Sequence, residues 1–194
     1  MKKLFWSLSF LIITLAASGQ PDSSLKARLD AFMNANDLMD FEKVMDYTYP
    51  KLFTLATREQ MIEVMNNSMN NEDMTIRLDS LKIDSIYAVF TTAEGSFAKV
   101  DYSMLMLMQL KEEADKTKNN EKNDAVIAAL KEQYGEDKVK YDEKVKAIKI
   151  YVNTAMAAIK DSYAKEWCFL NFKEDDPMIE ALLSKEVIEK LSSY

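Results

Sequence analysis

Phe97-Ala98-Lys99-Val100-Asp101-Tyr102-Ser103-Met104-Leu105-Met106-Leu107-Met108-Gln109-Leu110 is the stretch on which the fold turns. It contains no Gly or Pro, and it alternates. One face reads Ala98, Val100, Tyr102, Met104, Met106, Met108 and Leu110; the other reads Phe97, Lys99, Asp101, Ser103, Leu105, Leu107 and Gln109. A period of two belongs to a strand, whose successive side chains point to opposite faces. Upstream, Thr75 to Thr92 is rich in β-branched residues, Tyr and Phe, and Ala93-Glu94-Gly95-Ser96 is a turn signal. The pair predicts a long antiparallel hairpin. Both faces become apolar towards Leu110, so cover is expected on both sides of that end.

Beyond the hairpin, Val145 to Lys160 alternates through Ile148, Ile150, Val152, Thr154 and Met156. Thr154 to Ile159 also contains good helix formers, so strand and helix compete there. Asp161-Ser162 suits a turn, and Lys165 to Phe172 reads as a strand, which makes a second hairpin. Asp176-Pro177 then supplies a cap and a first-turn proline for a short helix carrying Ile179, Leu182 and Leu183. Ser184 caps a last helix with Val187, Ile188 and Leu191 inward. Between the hairpins, residues 111–144 read as a charged helical insertion. Its helix is capped at Asn123-Asp124, turns Val126, Ile127, Leu130 and Tyr134 inward, and ends at Gly135. The mixed-sign charge is read as a solvated face, with partner contact as the alternative.

On the N-terminal side, Asp22-Ser23-Ser24 caps a helix with Leu25, Leu29, Phe32, Met33 and Asn36 at spacings of three and four. A second helix starts at Asp40 with Phe41, Val44, Met45 and Thr48, and Pro50 stops it. Lys51 to Ala56 is expected to be an extended link. Thr57-Arg58-Glu59-Gln60 is a capping box, and its helix turns Met61, Ile62, Met65 and Met69 towards the sheet.

Residues 1–19 have the make-up of a secretory signal peptide: basic Lys2-Lys3, an apolar run from Leu4 to Ala17, and small Ala17-Ser18-Gly19. The run is shorter than the about twenty residues a membrane span needs. The single cysteine, Cys168, is far from any lipoprotein position. The expected location is periplasmic or secreted, with no stable membrane anchor after cleavage. Residues 20–194 then form one domain. Cleavage leaves 23 basic against 32 acidic side chains, a formal charge of −9. An acidic exterior repels phosphate backbones, so no nucleic acid partner is expected. One cysteine makes no internal disulfide, and its neighbours Trp167 and Phe169 mark it as a buried structural thiol.

The order of helix, helix, Tyr49-Pro50-Lys51-Leu52-Phe53 link, capped helix, long hairpin, insertion, second hairpin and terminal helix resembles the NTF2-like fold. Lys165-Glu166-Trp167-Cys168-Phe169, leading into the C-terminal helices, adds to the likeness. The resemblance is closest to secreted or periplasmic members related to the ketosteroid-isomerase-like cones. It implies an α+β cone: a curved antiparallel sheet of about four strands packed on N-terminal helices, with a pocket between. That superfamily hosts enzymes and plain association domains, so the resemblance implies no activity.

The chain has no histidine, which excludes Ser-His-Asp and Cys-His sites and imidazole metal centres. Its three glycines are too scattered for a phosphate-cradling loop. Met104, Met106 and Met108 project to one face at about 6.6 Å spacing. Thioethers suit Cu(I), but the interleaved Leu105 and Leu107 mark a buried strand instead. Asp101 with Tyr102, Tyr87 or Tyr151 is the candidate acid–base pair, yet Asp101 and Tyr102 are adjacent and so face opposite ways, and Lys99 beside Asp101 suggests a solvated face. Glu174-Asp175-Asp176 lacks calcium-loop spacing. Asn66-Asn67-Ser68 matches a glycosylation sequon inside a helix. The expected pocket lining is Tyr87, Tyr102, Tyr151 and Trp167, one aromatic from each of four strands, around a small apolar molecule and with no cofactor or metal. The reading is non-catalytic: apolar-ligand binding, or self-association as a homodimer through the sheet. An isomerase or dehydratase using a pocket Asp and Tyr is the alternative.

Cleavage after Gly19 is expected. Intact-mass measurement of exported protein should find a chain beginning at Gln20, and full-length protein confined to the cytosol would refute export.

Overall fold

The computed structural model describes residues 22–111 and 116–194, with side chains for all of these except 116–122. The expected signal peptide, 1–19, lies outside the described residues, as do Gln20 and residues 112–115 of the insertion.

The chain is α+β. Among the described residues the helices are α1 (Ser23–Asp37), α2 (Phe41–Tyr47), α3 (Arg58–Met69), α4 (Lys116–Tyr134), α5 (Pro177–Leu182) and α6 (Lys185–Ser192). The strands are β1 (Met74–Ile86), β2 (Phe90–Thr91), β3 (Gly95–Leu110), β4 (Val139–Asp142), β5 (Ala147–Asp161) and β6 (Cys168–Phe172). All pair antiparallel in one six-stranded sheet ordered β1-β3-β5-β4, with β2 continuing the β1 side of β3 and β6 joining β5. Six strands replace the expected four or so, because the short β2 follows β1 along the outer side of β3, and two short strands, β4 and β6, share the outer side of β5. The two expected hairpins, β1 with β3 and β5 with β6, join through the pairing of β3 with β5, which sets Leu78 opposite Met106 and Met106 opposite Ile150.

β3 and β5 pair from Gly95–Asp161 to Met108–Ile148. The strand reading of Thr154 to Ile159 therefore prevails over helix propensity. Pairing on both sides and burial of Met156, Ala157, Ala158 and Ile159 decide it. Gly95 is required at the ladder's end: a Cβ there would approach the Lys160 carbonyl oxygen to 2.6 Å.

The alternation of β3 separates two faces, as expected. On the even face, near end, Ala98, Val100 and Tyr102 pack with Met156, Ala158, Trp167 and Phe169 under Leu25, Leu29 and Met33 of α1. On the same face, far end, Met108, Ile148, Ile150 and Val139 lie under Val126, Ile127, Leu130 and Tyr134 of α4. On the odd face, near end, Phe97, Ile159, Cys168, Leu170 and Phe172 meet Tyr49 and the inward residues of α5 and α6.

Several expectations need correction. Lys51 to Ala56 is not extended: Pro50–Thr54 is a 3-10 turn. Pro50 fixes a helical φ at its start, and Lys51 reaches the Leu182 carbonyl at 2.7 Å. Thr75 to Thr92 is not one strand, because bulges at Asp79/Lys82 and Ile83/Ser85 twist it and it leaves the ladder after Ile86. β4 arises within the charged stretch, where only Val139 is buried and no hydrophobic alternation shows. β6 begins at Cys168 rather than Lys165. Met61, Met65 and Met69 of α3 face Phe41, Val44 and Met45 of the neighbouring helices rather than the sheet's main cores, and are only partly buried. Phe32, Met104 and Met106 are likewise partly buried, while Leu29, Trp167 and Phe169 are fully so.

Two polar ties fix α1 to the β5–β6 loop. Asp22 caps Ser24 at 2.9 Å and also accepts the Trp167 indole N–H at 3.1 Å. These hydrogen bonds, the one from the Ser24 hydroxyl first, lower the Asp22 pKa to about 2. The tie is therefore present above the ordinary carboxylate range and lost only as pH falls through the folded value. Arg28 donates to the Trp167 carbonyl at 2.7 Å and pairs with Glu166 at 2.6 Å, with its guanidinium over the Tyr47 ring.

Trp167 is 2% exposed at this junction. Trp167→Ala should lower stability by about 3–5 kcal/mol. Chemical denaturation monitored by far-UV circular dichroism measures it, and an unchanged midpoint would contradict the packing described.

Candidate functional site

The alternation that builds the sheet also fixes where chemistry can occur. Of its four quarters, three carry helices. The fourth is the odd face at the far end, and among the described residues no helix packs on it. This corrects the expectation of cover on both sides near Leu110. Across the strands one row reads Arg77, Leu107, Lys149 and Lys140, and the next reads Asp79, Leu105 and Tyr151. Ser103 and Asn153 continue towards the near end. Leu105 and Leu107 are partly buried, and Tyr151 is 46% exposed. Lys149 is held by Asp142 at 2.5 Å. Arg77 is exposed and pairs with no described carboxylate. Tyr and Arg around aliphatic side chains are the residue types that dominate interface energetics.

At the border with α6 lies a polar cluster. Tyr87 turns off the end of β1 and donates to Asp101 at 2.9 Å. Lys99 is 3.7 Å from the other Asp101 oxygen, donates to the Tyr194 carbonyl at 3.0 Å, and lies over the Tyr87 ring. The Asp101 hydrogen bond, then burial, raises the Tyr87 pKa. Asp101 and Lys99 therefore form a packed junction rather than the solvated face expected.

The four aromatics expected to line one pocket divide between the faces. Tyr102 lies on the even face, 7% exposed, and donates to Asn171 at 2.8 Å; burial pushes its phenol up to about 12. Trp167 shares that face, but its indole is engaged by Asp22 at the start of α1. Tyr87 and Tyr151 belong to the opposite face, Tyr87 against Tyr194 and Tyr151 in the open quarter. Only Tyr102 and Trp167 contribute to a common apolar cluster, and α1 fills it. A groove of about 430 Å³ lies along α4, lined by Asp124, Ile127, Ala128, Lys131, Glu132 and Glu136. None of the four aromatics borders it, and four of its six residues are charged.

A second tyrosine–carboxylate pair was not anticipated. Tyr49, 2% exposed, donates to Asp161 at 2.6 Å. The other Asp161 oxygen accepts the Tyr163 and Ala164 amides at 2.8 Å each. With both oxygens occupied, Asp161 is placed to clasp the turn rather than to abstract a proton. Burial, then the Asp161 hydrogen bond, drives the Tyr49 phenol far above its ordinary value, so it is a poor acid. The sequence signal was Tyr49-Pro50 itself, whose extended backbone lets Tyr49 N–H reach the Phe169 carbonyl at 3.0 Å. Among the described residues, no three Cys, Asp or Glu side chains gather to hold a metal ion. No described helix is long and apolar enough to cross a membrane.

No protein-family model, curated protein or solved structure matches this chain.

Tyr49→Phe keeps the ring packing and removes one hydrogen bond to a charged acceptor. It should cost about 1.5–3 kcal/mol at neutral pH. Thermal or urea unfolding measures this, and an unchanged stability would show that the clasp is dispensable.

Proposed function

We propose that this chain is an exported, non-catalytic association domain whose working surface is the open quarter of its sheet. One observation carries the reading: three quarters of the sheet lie beneath helices, while the fourth presents Leu105, Leu107, Tyr151 and Arg77 with no described helix over them. An aromatic–aliphatic centre rimmed by charge fits the anatomy of a protein interface. Division of the four aromatics between opposite faces weighs against the single apolar-ligand pocket. The engagement of both Asp161 oxygens, and of Asp101 by Tyr87 and Lys99, weighs against the isomerase-type alternative. Helices α1 to α3 preceding an antiparallel sheet, with α1 laid on it, support an NTF2-like architecture, a superfamily that includes association domains. Lys2-Lys3 and the apolar run support export.

Size measurement in unfractionated exported material tests the reading. In concentrated material the protein should elute above its monomer mass. Tyr151→Arg should move it to the monomer position, whereas Lys185→Glu on exposed α6 should not. Elution of the unaltered protein as a monomer, or equal behaviour of the two variants, would overturn the proposal.

A further inference from the structure

The open quarter is self-complementary, and we infer that its occupant is a second copy of this chain, docked face to face about a two-fold axis perpendicular to the strands. This rests on the association reading above and adds the partner and the geometry.

The argument lies in two adjacent rows. Arg77, Leu107 and Lys149 occupy one, and Asp79, Leu105 and Tyr151 the next, in the same strand order β1, β3, β5. A two-fold axis lying between the rows and running across the strands places each row over the other row of the partner. Arg77 then meets Asp79, Leu107 meets Leu105, and Lys149 meets the Tyr151 ring, each contact occurring twice. That is the self-complementarity an isologous interface requires. An axis along β3 fails the same check, because it sets Arg77 over Lys149, two cations. The charge pattern therefore selects one symmetry as well as one partner.

Charge elsewhere points the same way. The chain carries 25 basic and 32 acidic side chains, so copies repel over most of their surface. The two rows hold Arg77, Lys149 and Lys140 against Asp79, with Lys149 already partnered by Asp142, so they carry a slight positive excess in an otherwise acidic chain. Arg77 is an exposed cation with no described ion-pair partner in its own chain, and Asp79 is exposed beside it on the same strand face. Two packed sheets keep their strands within about 30° of each other, so the paired rows stay in register over this short span.

The patch spans four strands and four rows, roughly 14 by 20 Å from strand spacing and rise. That is less than half of the about 800 Å² per partner in a standard interface. The dimer is accordingly reversible and concentration-dependent.

Sedimentation velocity of the purified protein over a wide concentration range tests this. The weight-average mass should rise from the monomer towards twice that value, and added salt should shift the rise to higher concentration. Asp79→Arg and Arg77→Asp should each hold the protein at monomer mass, since each opposes like charges across the axis. The exchanged variant, Arg77→Asp with Asp79→Arg, restores opposite charges and should recover the concentration-dependent rise. Thermal midpoints of all variants should stay close to the parent's, because both positions are exposed. A purified parent that stays monomeric, or an exchanged variant no better than the single ones, overturns the inference. If the unfractionated protein is large while the purified protein is monomeric, the association reading stands and the second copy is the wrong occupant. If both are monomeric, the two readings fall together.

Discussion

The register of β3 against β5 is the constraint on which everything else rests. Val100 lies opposite Met156, and the ladder runs unbroken from Gly95 to Met108. Because side chains alternate with a period of two, a slip of one residue would exchange the two faces along the whole strand. Leu25 and Leu29 would then meet Lys99 and Asp101 instead of Val100 and Tyr102. Burial on the even face therefore holds the register. The register in turn places Tyr87, Asp101, Leu105 and Tyr151 on the other face, so the position of the proposed surface follows from the core and not from any local preference of its own.

The near end of the sheet is closed on both faces, and closing it creates loose ends that must be fastened. Three clasps do so with polar groups at the rim. Asp22 and Arg28 hold the Trp167 segment to α1, Asp161 holds Tyr49, and the Thr48–Phe169 bridge lies along the outer side of β6. Each links residues more than a hundred positions apart, so each becomes favourable only after the sheet has formed. They order the rim rather than drive the collapse. Among the described residues the far end has one helix, α4, and none lies on the reverse face there.

Much of this was legible in the sequence because it is periodic. The alternation of Phe97 to Leu110, the capping box at Thr57, Asp176-Pro177 and the α4 stripe of Val126, Ile127, Leu130 and Tyr134 each report a local geometry that tertiary structure then keeps. What the sequence hid depends on contacts distant in the chain. β4 has one buried residue and is a strand only because β5 offers it an edge. The bulges in β1 show in no pattern, since Ser80 with its φ of 53° carries no glycine to announce it. One aromatic per strand does not by itself put four aromatics on one face. Parity was the available signal: Tyr102 is even on β3, while Tyr151 pairs with Leu105, an odd position. A register between β3 and β5 would have separated them, and register is what a sequence without its partner strand cannot supply.

The edges of the sheet explain why association would use a face. An open strand edge is itself a template for pairing, and proteins blunt it with bulges, charge, shortness or cover. β1 interrupts its ladder twice and carries exposed Arg77, Asp79, Lys82 and Asp84 along its length. β4 is four residues long and includes Lys140. β6 is overlaid by Thr48 and Tyr49, whose amide takes the Phe169 carbonyl. All four protections appear in one sheet, so strand addition is opposed along the edges of β1, β4 and β6. The open face has no such defence: Leu105, Leu107 and Tyr151 sit at its centre, flanked by charges of both signs. A sheet guarded along those edges and left bare on one quarter of one face directs its contacts to that quarter, where side chains rather than backbone hydrogen bonds choose the partner.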